Sequence, residues 1–171
     1  GVRSNGGTPR EFCTITVTDG IAMGHEGMKS SLISREVIAD SAELTVRGHC
    51  YDALVGIAGC DKSLPALMMA MVRLNVPSVF IYGGSILPGR YKGKDVTVVD
   101  VFEAVGKHSS GQMSAAELRK LELVACPSAG ACGGQFTANT MACVSEAIGL
   151  ALPYSAGTPA PYEERDKYAK E

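Results

Sequence analysis

The chain has 171 residues, 46% of them apolar and 20% charged, and its formal net charge is -2. That is room for one domain with a core of its own, and so balanced a charge offers no footprint for nucleic acid or an anionic membrane surface. The densest apolar stretch, Met68–Val72, is too short to span a bilayer, and no stretch reads as a secretory signal.

In chain order, the first residues carry a helix-exit pattern, Asn5–Gly7, with no helix before it. With a charged tail, "PAPYEERDKYAKE", that could start another helix, the chain reads as a piece of something longer. "EFCTITVT" (11–18) alternates and is rich in β-branched residues, which predicts a strand. It runs into the glycine-rich "DGIAMGHEGM". The spacing of Val37, Ile38, Ala42 and Val46 predicts a helix with Ser34 as N-cap and Gly48 as its stop. "ALVGIA" (53–58) reads as a strand buried on both faces. After "GCDK" come a helix from about Leu64 to Leu74 and a strand, "PSVFIY", that ends at Gly83-Gly84. "DVTVVDVFEAVGKH" predicts a short strand or turn leading into a helix. Ser114 with Glu117 three residues on forms a capping box for the next one. The glycine loop "CPSAGACGGQF" opens a final helix in "TANTMACVSEAIGLAL".

Alternating strands and helices imply an α/β domain: a parallel sheet with right-handed crossovers and flanking helices, in a three-layer, Rossmann-like arrangement. In such sheets ligands gather beyond the carboxyl ends of the strands. The loops expected there are "TDG", "GCDK" and "GGS".

Six cysteines are too few for a dense disulfide framework in a chain this long. Reduced thiols in the cytoplasm, or in an organelle stroma or matrix, are the expectation, so clustered cysteines read as metal or redox chemistry. Cys60 stands at a strand end beside Asp61 and Lys62, and Cys132 in a glycine loop at a helix mouth. Both sites can turn sulfur toward a metal. Cys13 and Cys143 read as small core residues, and packing is also favoured for Cys50 and Cys126. The step from Cys126 to Cys132 fits no zinc finger or ribbon. Asp19 and Asp61 are hard oxygen donors that could start a magnesium site, although loop aspartates can equally be only solvated. Lys62 is either an ammonium balancing the two aspartates or a neutral amine able to capture carbon dioxide as a carbamate. His25 and His49 read as surface or capping histidines. "GHEGM" lacks the second histidine of a zinc-protease helix. Gly83-Gly84 and "GACGG" could cradle a phosphate, but neither fits a nucleotide-binding fingerprint.

Five stretches, "TVTDGIAMGHEGM", "SREVIADSAEL", "AGCDKSLP", "YGGSILPGR" and "CPSAGACGGQFTANTMA", resemble the iron–sulfur dehydratase family. That family comprises dihydroxy-acid, sugar-acid and phosphogluconate dehydratases. "GHEGM", "GCDKSLP" and "GGSILPGR" are more similar to the dihydroxy-acid branch. The resemblance implies a hydro-lyase that dehydrates 2,3-dihydroxy acids to 2-keto acids in branched-chain amino-acid (valine and isoleucine) biosynthesis. It implies that Cys60 and Cys132 ligate an iron–sulfur cluster, 2Fe–2S slightly favoured over 4Fe–4S. It further implies that Asp19, Asp61 and Lys62 as a carbamate hold magnesium, and that the complete protein is a homodimer. The family's frequent middle cysteine is Ala129 here.

By the same resemblance a first cluster cysteine belongs upstream of residue 1, and a further glutamate and a serine base belong to a C-terminal domain. Residues 1–171 are thus expected to be part of an N-terminal metal-binding domain, with no catalytic base of their own and inactive alone. Two other readings compete. One is a sugar-acid (aldonate) dehydratase of the same family; the other is a non-catalytic thiol- or metal-binding α/β module.

Overall fold

Short apolar runs separated by glycine turns give the chain its alternation of strands and helices, and a computed structural model describes all of residues 1–171. A single 3-10 turn, Arg3–Asn5, precedes Gly6 at φ +81°. Next come α1 (Asp19–Ala22), α2 (Gly27–Gly48), β1 (Leu54–Ala58), α3 (Ser63–Leu74) and β2 (Ser78–Tyr82). A hairpin of β3 (Gly89–Tyr91) and β4 (Lys94–Val96) follows, then α4 (Val98–Ser109), α5 (Ala115–Ala125), α6 (Thr137–Ala147) and α7 (Glu164–Tyr168). No helix is long and apolar enough to cross a membrane.

β1 and β2 are parallel, in register from Leu54 opposite Ser78 to Ala58 opposite Tyr82, with α3 as the crossover. The chain after α6 adds one more parallel rung, Phe80 opposite Ala151. The α/β class with a parallel sheet and flanking helices is thus what the sequence adopts. Leu54, Ala58, Phe80 and Tyr82 point into the main core with Leu64, Leu67 and Met71 of α3. Ala39 and Ala42 of α2, Ala66 and Ala70 of α3, and Ala138 and Ala142 of α6 join the same core. Side chains this small let the helices approach closely, because interaxial distance follows side-chain size. A second, smaller core of Val96, Ala104, Leu121 and Ala125 holds the hairpin to α4 and α5. The hairpin turn is Lys92-Gly93, both at positive φ (+49° and +80°), as tight two-residue hairpins require.

Three expectations need correction. Residues 11–18 form no strand. β-branched composition says only that a segment suits a pleated surface; here Thr14, Thr16 and Thr18 line a cleft together with Ile57–Cys60 and pair with no strand. β1 is not buried on both faces: Val55 is 46% and Ile57 69% exposed. Ser34 is not an N-cap, because α2 begins at Gly27. Its hydroxyl instead donates to Ser31 O at 2.6 Å inside the helix, which lets a polar residue sit buried mid-helix.

Other boundaries fall where expected. α2 ends at Gly48 and α3 spans Ser63–Leu74. The start of α4 carries a cap the sequence reading did not name, a complete capping box of Thr97 with Asp100. The hydroxyl of Ser114 accepts from Glu117 N at 3.2 Å to cap α5.

Candidate metal centre

The turn after β1 carries three chemically different side chains in a row, and the fold sends them to different neighbours. Ser63, the first residue of α3, pins the turn twice: Cys60 N donates to its Oγ at 3.2 Å, and that Oγ donates to Cys60 O at 3.0 Å. The turn is therefore a fixed platform.

Asp19, at the start of α1, reaches the same place from 42 residues upstream of Asp61. Lys62 Nζ donates to Asp19 Oδ2 at 3.0 Å and to Asp61 Oδ2. All three side chains retain only 16% of their exposure. The other oxygen of Asp19, Oδ1, accepts from Ser31 Oγ of α2 at 2.5 Å. Burial alone would raise the Asp61 carboxyl, but hydrogen bonds from Lys62 and Thr137, with the Lys62 charge, hold it below its ordinary value. Burial likewise opposes the Lys62 ammonium, yet its hydrogen bonds to Asp61 and Asp19 and their charges leave it above the usual lysine range.

The two carboxylates thus converge, and Lys62 stands between them as a charge-balancing ammonium. The donor chemistry suits a hard divalent cation: carboxylate oxygens fixed by hydroxyls at the rim of the sheet. No three His, Cys, Asp or Glu side chains come together anywhere in the chain. A site built from these residues needs a third anionic donor, which Lys62 can become only after losing its proton and capturing carbon dioxide.

The sulfurs lie on the other side of the turn. Cys60 is half-buried and lines a cleft of about 330 Å³ together with Thr14, Thr16, Thr18, Gly130 and Ala131. Cys132 is buried, 8% exposed, at the edge of the main core. Their loops touch: a Cβ on Gly59 would come within 2.6 Å of the Ala131 Cβ, so only glycine allows this approach. Two soft sulfur donors on contacting loops fit part of an iron–sulfur ligand set.

The remaining cysteines behave differently from expectation. Cys13, Cys50, Cys126 and Cys143 are all exposed; with residues 11–18 unpaired, Cys13 has no sheet to pack in. The histidines cap backbone as expected. His25 accepts from Gly27 N at 3.0 Å and meets Ile21 O at 2.8 Å, joining the end of α1 to the start of α2. His49 meets Thr45 O at 2.9 Å and stacks on Tyr51. Gly83 and Gly84 are no phosphate cradle. Gly84, at φ +89°, would drive a Cβ to 2.6 Å from the Ala160 backbone, so the turn is filled by protein.

Sequence reasoning missed Ser31 and Thr137. Ser31 gives no local signal, since only the packing of α1 on α2 brings it to Asp19. Thr137 had one, its place at the mouth of a helix behind a glycine loop.

The family model described as "Dihydroxy-acid/6-phosphogluconate dehydratase N-terminal" matches residues 1–171. The chain is 96% identical over 169 residues to a dihydroxy-acid dehydratase of Pelagibacter ubique, covering 99% of this chain and 30% of that protein. It is 82% identical over 170 residues to the same-named protein of Parvibaculum lavamentivorans, covering 99% of this chain and 30% of the other. A dihydroxy-acid dehydratase of Metallosphaera sedula is 57% identical over 171 residues, covering 100% of this chain and 31% of that protein. The chain spans about 30% of the length of these relatives.

Proposed function

Since the chain belongs to the dihydroxy-acid/6-phosphogluconate dehydratase N-terminal family, we propose that it carries part of the metal-binding domain of a hydro-lyase. That enzyme removes water from a 2,3-dihydroxy acid to give a 2-keto acid, in the synthesis of branched-chain amino acids. The observation that carries this reading is the convergence of Asp19 and Asp61 on Lys62, directly beside Cys60.

The reaction takes a proton from C2 and a hydroxide from C3, and the resulting enol tautomerises to the 2-keto acid. Hydroxide is a poor leaving group. A cluster bound through Cys60 and Cys132 would supply a Lewis-acidic iron for its departure. Magnesium held by Asp19 and Asp61, with Lys62 as a carbamate, would supply positive charge for the substrate carboxylate and C2 hydroxyl.

The chain's own residues do the positioning. Ser31 occupies Asp19 Oδ1 and so orients Oδ2 toward Asp61 and Lys62. Thr137, at the start of α6, contributes to holding the Asp61 carboxyl below its ordinary value. The pair of hydrogen bonds between Ser63 Oγ and the Cys60 backbone fixes the angle between the sulfur and oxygen donors. Substrate oxygens on neighbouring carbons are then addressed by donors from adjacent residues, which removes orientational freedom before reaction. No residue of 1–171 is assigned as the base. The complete protein is read as a homodimer of a reducing compartment, cytoplasm or organelle matrix.

The test is anaerobic purification of the complete chain, with iron and sulfide analysis, visible absorbance and assays on 2,3-dihydroxyisovalerate and on an aldonate. Iron, sulfide and colour, their loss in Cys60→Ser and in Cys132→Ser, and turnover of the branched acid are expected. A colourless protein, or colour unchanged in either variant, overturns the ligand reading. Preference for the aldonate moves the enzyme to the sugar-acid branch.

A further inference from the structure

Cys132 is held in place by segments remote from it in sequence. Ser85, three residues past β2, forms parallel bridges with Cys132 on one side and Pro159 on the other. Ala131 N donates to Gly84 O at 2.7 Å, Ile86 N donates to Cys132 O at 2.8 Å, and Ala160 N donates to Ser85 O at 2.9 Å. These bonds make a three-segment clasp with Ser85 as its middle member. A clasp one rung wide is weak on its own, because the usual ladder neighbours that make strands cooperative are missing.

Asn139 reinforces it. From the first turn of α6, its amide nitrogen donates to Ser85 Oγ at 3.3 Å and to Ala156 O at 2.9 Å. Both protons of the amide are thus used, each on a different segment. Asparagine is a poor residue for a helix interior, because its side chain competes for nearby backbone; here it reaches away from the helix instead. Tyr82 completes the group, its hydroxyl 3.5 Å from Ser85 Oγ and its ring almost wholly buried. Burial also raises the Tyr82 phenol above its ordinary value, so it remains an O–H group there.

We propose that Asn139 is a positioning residue for Cys132: through Ser85 and Ala156 it locks the clasp that sets where the Cys132 sulfur stands. The geometry is independent of any ligand, but its use in holding a metal cluster rests on the function proposed above. Partners of this kind fix a ligand's orientation and commonly matter nearly as much as the ligand itself.

The experiment follows each cysteine of the complete chain separately. The metal-free protein, kept reduced, is treated with iodoacetamide, and alkylation of each cysteine is timed by peptide mass spectrometry. In Asn139→Ala, and separately in Ser85→Ala, alkylation of Cys132 is expected to accelerate about fivefold, the effect of one lost hydrogen bond on the open population. Cys13 and Cys50, already exposed, keep their rates, and the double variant is no faster than the faster single one. When the cluster is loaded, its colour bleaches correspondingly faster in both variants. An unchanged Cys132 rate overturns the proposal, as does equal acceleration at all six cysteines of residues 1–171, which marks general loosening. Should Asn139→Ala not fold, Ser85→Ala, which removes only the acceptor, decides. The ligand reading is judged separately: full colour in Cys132→Ser overturns it and leaves the alkylation result standing on its own terms.

Discussion

Replacing Lys62 by methionine tests the charge arrangement at the centre of the site. Methionine keeps much of the length and removes the ammonium that Asp19 and Asp61 share. At 3.0 Å, an effective dielectric of 20 puts the attraction between Lys62 and Asp19 at about 5.5 kcal/mol. Desolvation offsets several kcal/mol of this, but removing one partner leaves that penalty on the carboxylates and adds their mutual repulsion. Breaking a buried pair costs about 3–5 kcal/mol. The 16% residual exposure of these side chains argues for the lower end, about 3 kcal/mol. Urea unfolding of the metal-free protein at pH 7 is the assay. With a slope of about 2 kcal/mol per molar, the midpoint should fall by about 1.5 M.

The pH dependence supplies an internal check. The Lys62 pKa is raised, so its contribution is complete below the ordinary 10.5 and is lost only as pH rises through the higher folded value. The Asp61 pKa is lowered, so its contribution is present above the ordinary 3.8 and is lost as pH falls through the lower folded value. The difference between parent and Lys62→Met should therefore be flat across neutral pH and shrink in acid, as protonation of one carboxylate relieves the repulsion. A variant as stable as the parent at pH 7, or a gap that widens in acid, would refute the reasoning.

Two smaller perturbations test the scaffold. Gly84→Ala places a Cβ 2.6 Å from the Ala160 backbone at a φ of +89°; left-handed strain plus overpacking should cost about 2–4 kcal/mol, read as a lower thermal midpoint. Thr97→Ala removes the hydroxyl that accepts from Val99 N at 3.3 Å and breaks the capping box. It should cost about 1 kcal/mol and increase amide exchange in the first turn of α4 while leaving α2 unchanged.

What the sequence made legible was what depends on neighbours within a turn or two. α3 and β2 were placed to within a residue by apolar runs and glycine stops, and the cap at Ser114 by its spacing from Glu117, whereas the Thr97 capping box was not foreseen. Expectations failed where a distant segment decides. Residues 11–18 have strand composition, but pairing needs a partner edge, and here they line the cleft beside Ile57 and pair with no strand. Ser34 has the chemistry of a cap, yet the helix begins at Gly27 and runs through it, its hydroxyl satisfied by donating to Ser31 O. Cys13 looked like core and is exposed for want of the sheet it was expected to join. In the candidate site, Asp61 and Lys62 were visible as neighbours in sequence. Asp19 was expected beside them from its place in a loop at the same sheet edge, and the ion pair with Lys62 has it there; the supporting contacts of Ser31 and Asn139 are facts of three dimensions.

The short turn at 59–63 explains how one segment can serve both soft and hard donors. Consecutive residues in a tight turn diverge, so Cys60 faces the cleft beside Gly130 and Ala131, whereas Asp61 and Lys62 face Asp19. Separation is needed because a thiolate and a carboxylate free to mix would compete for the same ion. Under the function proposed above it must also be rigid, because two ions acting on neighbouring carbons of one small acid would tolerate little drift. Rigidity comes from Ser63 closing on the Cys60 backbone and from Gly59 abutting Ala131. Lengthening this turn by one residue would therefore move both donor sets together. Its cost should resemble losing both sites at once, not one.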